Sequence, residues 1–232
     1  MKKTILSIIL MLVFTIKANA EVGINAGISL AAGAFSVDGA SENFKGAHSS
    51  SNASSGDVSK KSSSEGEDAE GLFAIGSLFV EKTLGDRFAI GIDYVPHDFE
   101  SESTANEQTS TAEVGKGTKN NTVQVDFEDL TTIYGTLLLN DNVYVKAGYM
   151  QVDVITNENL GTGGAYGNTD LDGFTLALGY DRDLSNGMFV RVEGNYMDLD
   201  GVSLTNTADS TKSVSVDGIT GYGAKLSIGK SF

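Results

Sequence analysis

The sequence predicts an all-β protein, an eight-stranded antiparallel up-and-down β-barrel. Three observations predict it. Eight segments alternate with period two, the connections between them alternate short and long, and the Gly are spread through the strands rather than gathered at turns. The segments are Val22–Val37, Leu72–Leu84, Phe88–Val95, Val123–Leu139, Val143–Ile155, Gly173–Leu184, Met188–Leu199 and Ile219–Phe232. In the first, Ile24, Ala26, Ile28 and Leu30 share one face, and Gly23, Asn25, Gly27 and Ser29 share the other. That is a strand signature, since a helix would repeat near 3.6.

Three connections are tight: Gly85-Asp86-Arg87, Asn140-Asp141-Asn142 and Ser185-Asn186-Gly187. Their residue types suit hairpin turns. Four connections are long and polar, over about 38–71, 96–122, 156–172 and 200–218. Strict alternation of the two classes puts every long loop at one end of a meander. Between Ser41 and Ser64 the first loop is largely Ser, Ala, Asn, Gly and Lys, a composition too polar to offset its own ordering entropy.

Composition removes several classes. The 232 residues hold no Cys, which excludes disulfide scaffolds, Cys-ligated metals and thiol nucleophiles. A formal charge of −15 argues against nucleic-acid binding, which needs a basic face. Residues 1–20 read as an export signal: Lys2 and Lys3, an apolar stretch from Ile5 to Ile16, then Ala18-Asn19-Ala20 before Glu21. The stretch is too short to span a bilayer as a helix. The domain reading is therefore a signal peptide over 1–20 and a barrel over 21–232.

The two strand faces decide what surrounds the barrel. One carries Tyr222, Ala224, Leu226, Ile228, Lys230 and Phe232 in the last strand, and Phe174, Leu176, Leu178 and Tyr180 in the sixth. The other is small or ionisable. Gly is a weak choice for an exposed strand face but suits a narrow interior crossed by long charged side chains. The apolar face is therefore expected to meet lipid, with aromatics near its edges. The expected lumen charge network is Glu81, Asp93, Asp126, Glu128, Lys146, Asp181, Arg191, Glu193 and Lys225, with both signs present so that buried charges can pair.

The terminal Phe232, with Ile228, Leu226, Ala224 and Tyr222 at alternate positions, resembles the signal read by the outer-membrane barrel-assembly machinery. Lys230 departs from that pattern, where an apolar residue is usual. With the export signal, eight alternating strands, three short turns and four long polar loops, the chain resembles the small bacterial outer-membrane barrels of the OmpA-barrel, OmpX and opacity-protein-like porin families. That resemblance implies an outer-membrane location among lipid and lipopolysaccharide, with both termini periplasmic and the long loops extracellular. With no Cys and two His, no cofactor and no metal are expected.

Three functions follow as expectations. A lumen filled by side chains leaves the loops to act, through a structural or surface-interaction role. The first loop is acidic, with Asp38, Glu42, Asp57, Glu65, Glu67, Asp68 and Glu70 against Lys45, Lys60 and Lys61. Such loops suit an extracellular ligand or surface. The alternative is a small porin of narrow conductance. The third is an enzyme, for which only His48 and His97 are available as bases, neither spaced with a nucleophile and an orienting carboxylate. The reading is therefore non-enzymatic. Glu65-Gly66-Glu67-Asp68 lacks the spacing of a calcium loop.

Overall fold

The computed structural model describes residues 23–44, 67–101, 103–110, 117–161, 163–208, 210 and 212–232. The export signal, His48 and most of the Ser-rich segment, with Lys45, Asp57, Lys60, Lys61 and Glu65, lie outside the described residues.

Alternating sequence becomes strand throughout. The strands are β1 (Ile24–Phe44), β2 (Glu67–Leu84), β3 (Phe88–Tyr94), β4 (Phe99–Glu100), β5 (Thr104–Ser110), β6 (Gly117–Leu138), β7 (Val143–Leu160), β8 (Thr169–Asp183), β9 (Met188–Thr205) and β10 (Lys212–Ser231). All pairings are antiparallel. The order runs β3-β2-β1-β10-β9-β8-β7-β6, and β3 pairs with β6 to close the sheet. β3, β4 and β5 lie end to end along β6 and act as one interrupted wall. The cylinder therefore has eight walls and no free edge, which satisfies the backbone without water.

The start of β1 and the end of β10 meet beside the short turns. Ile24 N–H donates to the Phe232 carbonyl at 3.2 Å, and Phe232 N–H returns the bond at 2.8 Å. In the turn after β8, Asn186 takes a left-handed φ of 65° that Asn tolerates, followed by Gly187 at 71°. The start of β1, the end of β10 and the three short turns thus form one rim. The hairpins β1–β2, β5–β6, β7–β8 and β9–β10 rise to the other.

The strands run much further than the alternation predicts. Segments expected to be loops, 96–122 and 200–218 among them, are largely hairpin: β5 pairs with β6 through Ser110↔Gly117, and β9 with β10 through Thr205↔Ser213. Ser, Thr, Asn and Asp lack an apolar face, so alternation is invisible there. The ladder forms nonetheless, because strands already paired below continue upward without a new closure cost.

A bulge in β6 alters one sequence expectation. Its register against β7 shifts between Glu128 and Thr131, and Asp129 takes a φ of 54°. Tyr94 Oη donates to Asp129 Oδ1 at 2.6 Å and pins the irregularity. One extra residue reverses which side chains face inward. Below the bulge Thr132 and Tyr134 line the interior; above it Phe127 does. Asp126 and Glu128 are consequently turned outward. Asp126 Oδ2 accepts from Asn157 at 2.6 Å, and Glu128 is exposed. They stand apart from the lumen network because the extra residue at Asp129 interrupts the alternation.

A single cysteine scan checks this parity, since the chain has no Cys of its own. Glu128→Cys in the folded barrel should react rapidly with a polar maleimide, and Phe127→Cys much more slowly. The opposite order would mean that β6 has no inversion.

Candidate functional site

The barrel interior has two storeys. Near the turn rim it is charged and closed. Arg191 reaches from β9 across the lumen to β2, where Nη1 donates to Glu81 Oε1 at 2.6 Å; its Nε donates to Asp181 Oδ2 at 2.7 Å. Tyr134 Oη also donates to Glu81 Oε1, at 3.0 Å, and Asn25 Nδ2 to Oε2 at 3.2 Å. Glu81 is 0% exposed, yet its carboxylate receives three different donors, which is how a buried charge is tolerated.

A second group is centred on Glu193, 1% exposed, which pairs with Lys146 and accepts from Tyr144 Oη. A third spoke crosses from β10 to β3, with Lys225 Nζ 2.8 Å from Asp93 Oδ2. Rings fill the gaps. The Arg191 guanidinium lies 4.5 Å from the Phe189 ring centre, and Lys146 Nζ lies 4.5 Å from that of Tyr134. Of the nine residues read as lumen charges, the structure brings seven together. Asp126 and Glu128 are the two it does not.

Glycine makes room for these rings. Gly91 faces Tyr134, and a Cβ added there would meet Tyr134 Cζ at 2.6 Å and Glu81 Cγ at 2.8 Å. Gly179 lies against the Tyr144 ring in the same way. The spread-out Gly therefore serve a packed interior rather than turns.

Toward the hairpin rim the interior becomes apolar. Met150, Val152, Val154, Leu171, Leu199 and Ile219 form a buried cluster, with Phe35, Val37, Phe127 and Met197 packed on it. This storey was not expected from the sequence, although a signal was present. Met150, Val152 and Val154 continue the parity of Lys146, and Met197 and Leu199 that of Glu193. Met150, Val152, Leu199 and Ile219 of this cluster line a partly open cavity of about 120 Å³, with Asp93, Lys146, Glu193 and Lys225 at its base. A separate cavity of about 160 Å³ lies at the turn rim against Arg191, Asp181 and Tyr144. The two share no lining residue, and the ion-pair layer lies between them.

The outer surface is the converse of the interior. Leu30, Leu78, Ile133, Leu176, Leu178, Val192 and Leu226 are all exposed, and Leu178 retains 59% of its surface. Phe174, Tyr196 and Tyr222 pack side by side around one level as tilted rings, with centres 6.0 and 5.2 Å apart. Phe88, Tyr180 and Phe232 lie toward the turn rim. Tyr222, Ala224, Leu226, Ile228 and Phe232 all point outward. Lys230 shares their face, with its Nζ 5.3 Å from the Phe232 ring centre.

His97 lies beyond β3 on the outside. Its Nε2 accepts from the Gly76 N–H at 3.1 Å, and Nδ1 lies 3.0 Å from the Asp98 carbonyl. One tautomer, protonated on Nδ1, satisfies both bonds. Both ring nitrogens are thereby engaged by backbone.

No family model and no curated relative matches the sequence. Solved structures do. The chain is similar to the outer membrane protein OprG from Pseudomonas aeruginosa at 13% identity, over 89% of this chain and 96% of that one, with a TM-score of 0.41. It is similar to the outer membrane protease OmpT from Escherichia coli at 12% identity, over 95% and 99%, with a TM-score of 0.36. A third is Ail, the attachment invasion locus protein of Yersinia pestis, solved with the heparin analogue sucrose octasulfate. Here the identity is 10%, over 90% and 99%, with a TM-score of 0.34. These are bacterial outer-membrane proteins. For this chain, function has to come from its own residues.

Arg191→Ala should destabilise the folded barrel by about 3–5 kcal/mol, because it leaves Glu81 and Asp181 without their counter-ion. The measurement is reversible urea unfolding in lipid vesicles. Gly179→Val should lower the yield of folded protein on refolding by intruding on Tyr144, and Gly179→Val/Tyr144→Ala should recover it.

Proposed function

We propose that the chain is an integral barrel of the bacterial outer membrane, closed to ions and acting at the cell surface through its hairpin end. The observation that carries this is the ion-pair layer across the lumen. Arg191 spans to Glu81, Lys225 spans to Asp93, and Tyr134, Tyr144 and Phe189 fill the space between them. An eight-stranded barrel has an interior just wide enough for side chains, so such a layer leaves no continuous water column.

The exposed apolar belt supports a lipid environment. From Tyr222 to Phe232 at ~3.3 Å per residue, with the ~40° tilt usual in such barrels, the belt measures roughly 25 Å, the height of a membrane barrel's apolar band. Above it the outward faces turn acidic: Asp126, Asp153, Asp170, Asp172 and Asp200 occupy the rising hairpins. With the rim of short turns in the periplasm, these hairpins lie on the extracellular side. Their partners would be a cationic or hydroxyl-rich surface, with lipopolysaccharide beside the belt and the barrel-assembly machinery reading Phe232. No catalytic step is assigned, consistent with the backbone engagement of His97.

Purified protein in a planar bilayer should show no steady single-channel conductance, whereas Phe189→Ala/Arg191→Ala should conduct measurably. Steady conductance by the unmodified protein would favour the narrow-porin reading instead. Protease added to intact cells should cut within 41–70 first. Cleavage at Asp86, Asp141 or Asn186 instead would reverse the orientation.

A further inference from the structure

We propose that the apolar upper storey is a binding site for a small neutral aromatic molecule carrying one hydrogen-bond donor, of the phenol class. The site lies inside the barrel and is independent of what the surface hairpins bind.

Size comes first. The cavity is about 120 Å³. An engineered apolar cavity of ~150 Å³ in another protein accepts benzene, so this one fits roughly a single ring. The walls suit a ring. Phe35, Phe73, Phe127, Met150 and Met197 line it, and aromatic and thioether groups pack well on an aromatic face.

The base of the cavity selects against charge. Lys146 and Lys225 are matched there by Glu193 and Asp93, each pair already closed. Two cations and two anions sum to zero, so neither a carboxylate nor an ammonium gains a net partner. A charged ligand would have to break a buried ion pair, which is costly.

One acceptor is left over. Asn195 stands one inward position above Glu193 on β9 and lines the cavity. Its Nδ2 lies 3.4 Å from Glu193 Oε2, which fixes the amide so that Oδ1 is its acceptor end. Oδ1 is buried and has no hydrogen-bond partner among the described residues. A buried acceptor left unmade is destabilising, and a ligand O–H would satisfy it. The ring then lies among the Phe and Met side chains, with its hydroxyl toward Asn195.

The described residues contain three methionines, well placed to read this out. Met150 and Met197 line the cavity, and Met188 lies at the turn rim on β9. With methyl-labelled Met and the full mature chain in lipid nanodiscs, p-cresol should shift the Met150 and Met197 signals saturably and leave Met188 in place. Toluene, lacking the donor, should bind roughly fivefold more weakly, the worth of one net hydrogen bond. Asn195→Val should remove that difference. Ala31→Phe, which fills the cavity from β1, should abolish the shifts while Met188 keeps its folded position. Val152→Phe, entering from β7, should do the same. Several outcomes would overturn the site: no saturable shift at Met150 and Met197, equal shifts at all three methionines as simple lipid partitioning would give, or binding that survives both filling variants. Equal affinity for p-cresol and toluene would overturn the donor requirement.

Discussion

Closing eight strands into a cylinder fixes the interior before any side chain is chosen. The circumference leaves space for side chains and little else, and each strand must direct every second residue into it. Everything placed there has to be volume-matched and, if charged, neutralised. The chain meets this by pairing large with small across neighbouring strands, as with Tyr134 over Gly91 and Tyr144 over Gly179. It meets the charge condition with spokes as well as the local pair of Arg191 with Asp181 on the neighbouring strand. Arg191–Glu81 and Lys225–Asp93 each join walls separated by two others, so they tie non-neighbouring walls of the cylinder together.

The eight walls, their order and the outward belt are legible in the sequence because lipid and lumen impose opposite demands on alternate residues. Leu176 and Leu178 against Ala177 and Gly179 is such a contrast. Legibility fails where the contrast fades. The upper hairpins have water outside, so Thr, Asn and Ser are acceptable on their outer face, and strand looks like loop. It fails again at Asp129, where one inserted residue reverses the parity of everything N-terminal to it on β6. Nothing in Asp126 to Thr132 announces a bulge, since Asp129 is an ordinary residue in a left-handed conformation. The apolar upper storey was obscured differently. Met150, Val152 and Val154 are apolar on the face already identified as polar, and a single rule applied along the whole strand hides that change.

The two storeys divide the work of the interior. The ion-pair layer is anchored on nearly every wall and resists rearrangement, because removing one member strands another in a place without water. The upper storey is held by dispersion and apolar burial, which are non-directional and tolerate an exchange of one apolar filler for another. A barrel with a rigid base and a permissive upper half can hold a guest without altering the wall that lipid sees.

The hairpins have a consequence for reach. β7 continues from Tyr149, which is paired across the strands with Phe174 of the aromatic level, to Leu160. At ~3.3 Å per residue and the usual tilt, that lifts its tip roughly 25–30 Å beyond the belt. Along this stretch the backbone ladder runs against β6 to Leu160, interrupted by the bulge at Asp129, and against β8 as far as Val154, so the rise is a braced mast rather than a tether. Whatever the tips touch is met at a height set by strand length, clear of the lipid headgroups. Shortening a hairpin by two residues on each side would lower its tip while leaving its chemistry unchanged, so in this architecture standoff from the membrane and choice of partner vary independently.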